Sequence, residues 1–75
     1  MIWNGQQLST VQDLFGAVMA CQTREQADGF LTAYRAENEH ADANIGYLIG
    51  YAGDEDRARL YDLFQVGHPV YGGAV

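Results

Sequence analysis

Apolar residues at positions 11, 14, 15, 18 and 19 recur at i, i+3, i+4 and i+7, the stripe of an amphipathic helix. Ser9 or Thr10 supplies its N-cap, and Ser9 with Gln12 matches the capping-box spacing. A second stripe, Ala27, Phe30, Leu31 and Tyr34, follows a second capping box at Thr23 and Gln26, with Glu25 in the first turn and the end of the helix at Glu37 to Glu39. Ala41, Ile45, Leu48, Ile49 and Ala52 mark a third helix over about 41–52. Gly53 suits a left-handed C-cap, and Asp54 then caps a fourth helix that buries Leu60, Leu63 and Phe64. Gly67 ends it, and Pro69 keeps the tail extended.

The first residues carry a different pattern. Ile2 and Trp3 precede Asn4-Gly5, a strong turn dipeptide, so this stretch is extended, with Trp3 as its anchor. The predicted fold class is all-α: one domain over 1–75, a compact bundle of four short helices with a short extended N-terminal segment. The short link at Cys21 and Gln22 predicts an antiparallel hairpin of the first two helices. The runner-up arrangement adds a two-stranded hairpin at residues 1–8.

Length sharpens this picture. A chain of 75 residues buries only about 60% of the surface its unfolded form exposes. One cysteine, Cys21, excludes an intramolecular disulfide, so stability must come from packing or self-association. The single cysteine, the absence of a signal-peptide pattern and the absence of a long apolar run predict a cytoplasmic protein with no membrane partner. Ten acidic residues face four arginines and no lysine, giving a net charge of −6. That balance disfavours direct nucleic-acid binding and points to a protein partner.

The stretch NIGYLIGYAGDED places Gly46 and Gly50 one turn apart, each followed by a tyrosine, Tyr47 and Tyr51. A glycine inside a helix costs about 0.8–1 kcal/mol relative to alanine, so two of them imply a compensating close approach. Two readings follow. The glycines and tyrosines are core and rim within one chain, or they form an interface for a second copy or another protein, where tyrosine is enriched.

The segment HADANIGYLIGYAGDEDRARLYDLFQVGHPVYGG, with NIGYLIGY, an acidic turn, a helix ending in LF and then HPVYG, resembles a group of small uncharacterised proteins of phages, prophages and bacterial genomes. TREQADGFLTAYR resembles the same group. The resemblance implies a setting, a phage or prophage accessory protein, and carries no catalytic residues.

Candidate chemistry is sparse. His40 lies among acidic residues but lacks a convergent ligand set, so a capping or solvated role is expected. His68 precedes Pro69 as part of a tail clasp in which Val70 and Tyr71 fold back on the helices. Cys21 reads as a buried structural thiol. No phosphate loop, nucleophile elbow or zinc helix is present, so no enzyme, cofactor or metal is expected. Asp54, Glu55 and Asp56, like Glu37, Glu39 and Asp42, read either as capping and solvated charge or as a phosphate mimic. Glu55 and Arg59 are spaced for an i, i+4 pair.

The functional expectation is a small acidic protein-binding accessory factor that modulates a host protein. Its candidate surface comprises Gly46, Tyr47, Gly50, Tyr51, Asp54, Glu55 and Asp56. The alternatives are a homodimeric structural or regulatory domain and a DNA-mimic inhibitor of a nucleic-acid-binding protein.

Overall fold

Asn4 and Gly5 both take positive φ, 50° and 80°. Positive φ at both central residues matches the twist of a two-residue hairpin turn, which is why Asn-Gly is favoured there. The computed structural model describes residues 1–66, and the expectations for Gly67, His68, Pro69, Val70 and Tyr71 lie outside them. The turn joins β1 (Ile2–Trp3) to β2 (Gln6–Gln7), antiparallel, with Ile2 opposite Gln7 and Trp3 opposite Gln6. So small a hairpin is not stable alone. Trp3 anchors it, its ring meeting Phe30 edge-on at 5.3 Å and its Cη2 lying 3.3 Å from where a Gly29 β-carbon would sit.

Four helices follow among the described residues: α1 (Val11–Ala20), α2 (Arg24–Glu37), α3 (Ala41–Ile49) and α4 (Asp54–Phe64). The all-α bundle is therefore as predicted, with the N-terminal hairpin added. The α2 cap is the predicted one: Thr23 Oγ1 accepts from the Gln26 amide, and Gln26 Oε1 accepts from the Thr23 amide. At α1 the capping box shifts by one residue, to Thr10 and Asp13. Asp13 Oδ2 accepts from the Ser9 and Thr10 amides at 3.0 and 3.2 Å. A carboxylate suits the positive end of the helix dipole better than the neutral Gln12 amide does.

The junction of α3 and α4 departs from expectation. Helix α3 proper stops at Ile49, and a tighter turn carries the chain on through Tyr51 N–H to Leu48 O and Ala52 N–H to Ile49 O. Gly53 is extended at φ −66°, ψ 164°, and is the N-cap of α4 rather than a left-handed C-cap. Asp54 is the first residue of α4 and pairs with Arg57, which also donates to Ala52 O. The left-handed helix cap is instead Gln65, at the end of α4.

The core gathers around Phe30. Its ring contacts Trp3, Tyr34 and Phe64, and Val18, Ile45, Ile49 and Leu60 are buried with it. Helix α2 packs against α4 and α3, while α1 packs against α3 and α4. The predicted hairpin of α1 on α2 is thus not the main contact. Trp3 takes the α2 face at Gly29 and Phe30, and Arg59 of α4 takes the end of α1. Arg59 donates to Cys21 O at 2.6 Å and Met19 O at 3.3 Å, and its ion pair is with Asp56 rather than Glu55. Those carbonyls belong to a helix end with no basic residue in its own last turn, so α4 supplies the cation that this end lacks.

Candidate interaction surface

The apolar stripe of α1 is wider than the core can cover. Only Val18 is fully buried; Leu14, Phe15 and Met19 are half-buried, and Val11 is 65% exposed. Across from it, α3 turns Ile45 and Ile49 inward and leaves Tyr47 and Tyr51 at 56% and 73% exposure. Between the two helices runs an open groove of about 720 Å³. One wall is Val11, Leu14, Phe15 and Gly16; the other is Asn44, Tyr47, Leu48 and Tyr51. Tyr34 closes one end, its hydroxyl accepting a hydrogen bond from Asn44 Nδ2 at 3.3 Å. Tyr47, in α3, and Tyr51, in the turn that follows it, meet edge-to-face at 5.9 Å.

The glycine pair has separate fates. Gly46 is buried, and Tyr61 of α4 donates its hydroxyl to Gly46 O at 2.9 Å. Gly50 is exposed, and a β-carbon there would meet its own Tyr47 carbonyl at 3.1 Å and the Tyr61 hydroxyl at 3.7 Å. Tyr47 and Tyr51 stand on the groove, whereas Asp54, Glu55 and Asp56, in the first turn of α4, are not among its lining residues. Sequence reasoning missed Val11, Leu14, Phe15 and Leu48 as surface. The available signal was the breadth of the α1 stripe, five apolar positions on a short helix.

The charges sort simply. Every arginine is in an ion pair: Arg24 with Asp28, Arg35 with Asp42, Arg57 with Asp54 and Arg59 with Asp56. The Arg35 guanidinium holds the Asp42 carboxyl below the usual carboxylate range, and amides of Ser9 and Thr10 do the same for Asp13. Glu25, Glu39, Glu55 and Asp62 form no ion pair among the described residues. The groove lining itself carries no charged side chain.

Elsewhere the surface offers little chemistry. His40 is exposed at the N-cap of α3 without a side-chain capping bond, in a shallow cleft with Arg35, Glu39 and Asp42. Among the described residues no group of three or more His, Cys, Asp or Glu is placed to hold a metal ion, and no helix is long and apolar enough to cross a membrane. Burial raises the Cys21 thiol pKa, against a smaller opposing effect of Arg59. Comparison with protein-family models, with curated proteins and with solved structures returns no match.

Proposed function

We propose that this chain is a small, cytoplasmic protein-binding accessory factor that docks its partner in the groove between α1 and α3. The observation that carries this reading is the exposure of Val11, Tyr47 and Tyr51 around one largely apolar lining. A small domain has little apolar surface to spare, and contiguous exposed apolar patches mark interaction sites. Tyrosine fits this role because its ring covers apolar surface while its hydroxyl stays wet. The partner is a host protein if the resemblance of NIGYLIGY and HPVYG to phage and prophage proteins reflects the source. The DNA-mimic reading has less support, since Asp54 and Asp56 are each paired with an arginine.

A photo-crosslinking residue at Tyr51, compared with one at the equally exposed Ile2 outside the groove, tests the reading in the native cell. One reproducible adduct from Tyr51 and none from Ile2 is the expected result. Adducts of equal yield from both positions, or from neither, would end it.

A further inference from the structure

We infer that the occupant of the groove is an amphipathic helix with a leucine-rich face and basic flanks. The inference rests on the docking reading above and adds the class of partner.

Shape argues for a helix. Both walls are helices whose backbone groups are bonded within themselves, so neither offers the open N–H and C=O row that an added strand requires. From Asn44 to Tyr51 the groove follows the second half of α3 and the tighter turn that continues it, about 10 Å in all. That length takes side chains at i, i+3 or i+4, and i+7 of a partner helix. The lining mixes Val11, Leu14 and Leu48 with aromatic rings, so it offers a leucine face aliphatic as well as aromatic contacts.

Charge argues for basic flanks. The lining is uncharged and largely apolar, so a charge on the occupant's buried face would find no partner there. The nearby carboxylates are largely matched: Glu37, in the adjoining cleft with Val11 and Leu14, lies 3.8 Å from the N-terminal ammonium, and Asp54 pairs with Arg57. The acidic excess belongs to the surface as a whole, where Glu25, Glu39, Glu55 and Asp62 form no ion pair among the described residues. The chain carries −6 overall, with each arginine already facing an aspartate. The net charge therefore steers a cationic helix toward the protein and an anionic one away. A second copy would bring the same concave face and the same net charge of −6, matching neither shape nor charge.

The test uses fluorescence anisotropy with three labelled synthetic peptides. One is a leucine–lysine helix with leucines at i, i+3, i+4 and i+7; one keeps the leucines and replaces lysine with glutamate; one is proline-rich with PxxP spacing. The leucine–lysine peptide should bind at least about tenfold tighter than either other. Tyr51→Ser and Val11→Ser should each weaken it about tenfold, the scale of a hot-spot truncation, while Ile2→Ser leaves it unchanged. Both groove positions are more than half exposed, so the variants should keep the wild-type circular dichroism. Leucine–lysine binding that ignores the groove variants is general electrostatic attraction and overturns the inference. So does preference for the proline-rich peptide, or a dimer by light scattering that Tyr51→Ser dissolves. If crosslinking from Tyr51 captures a partner but no leucine–lysine peptide binds, the helix class is wrong while docking stands; if both fail, both readings fall.

Discussion

Gly16 sits in the middle of α1, where glycine weakens a helix by about 0.8–1 kcal/mol relative to alanine. Nothing in the fold requires it. It is exposed, and a β-carbon built on it meets no heavy atom within 4 Å. Gly16→Ala should therefore recover nearly the whole propensity difference. A domain of this size has a urea m-value near the low end of the usual range, about 1 kcal/mol/M. The midpoint should rise by roughly 0.8–1 M, and the melting temperature by about 4–8 °C.

The same residue lines the groove, so its lack of a side chain lowers the α1 wall beside Phe15. Leucine has nearly alanine's helix propensity, and Gly16→Leu should be about as stabilising. Its side chain, however, extends from a groove wall. Gly16→Leu should cost about tenfold in affinity for the leucine–lysine peptide, while Gly16→Ala costs little. Urea titration followed by circular dichroism reads the first effect, and anisotropy reads the second. A destabilised Gly16→Ala would show that the open space beside α1 is misplaced. A stabilised Gly16→Leu with undiminished binding would show that the glycine does not keep the groove open.

Arg59→Ala should lose about 1–2 kcal/mol, because two helix-end carbonyls lose charge-assisted donors on a partly buried side chain; Glu55→Gln should lose almost nothing, and equal small losses in urea titration would contradict the geometry. Asp13 has a depressed folded-state pKa, so its stabilisation is present above the unfolded value near 3.8 and is lost as pH falls through the folded one. The stability gap between wild type and Asp13→Asn should accordingly close on acidification, and a gap unchanged at low pH would refute the capping role. Gly53→Ser should stabilise by a few tenths of a kcal/mol or more, since Gly53 is an extended N-cap with open space for a β-carbon; a loss in thermal melts would instead support a left-handed requirement. Cys21, buried and with a raised thiol pKa, should react with a disulfide exchange reagent slowly in buffer and quickly in urea, and equal rates would place it at the surface.

The helices were legible because their signals are local. Thr23 and Gln26 form the box that their spacing announces, and Phe30, Leu31 and Tyr34 bury where the period puts them. Asn4-Gly5 makes the turn it encodes. The misplacements all involve choices that local rules leave nearly degenerate. Ser9 and Thr10 are both good caps, and the Asp13 carboxylate decides between them. Glu55 and Arg59 have good spacing, but Arg59 is drawn to carbonyls about forty residues earlier in the chain, a partner that no window of sequence contains.

The groove was half legible for a deeper reason. Periodicity says that a face is apolar; it does not say whether this chain has enough surface to cover that face. Tyr47 and Tyr51 were readable as surface because tyrosine tolerates water, but Val11, Leu14 and Phe15 looked like core. Four short helices supply few faces, and α2, α3 and α4 consume most of theirs around Phe30 and Ile49. Helix α1 is left with a surplus: the Thr10–Asp13 box fixes only its own first turn, while Val18 in the core and Arg59 at the C-terminal end hold the helix to the rest of the fold. These anchors lie toward its C-terminal half and leave Val11 uncovered. That division of labour lets a marginal domain fix the position of a helix while keeping much of its apolar stripe available to a partner.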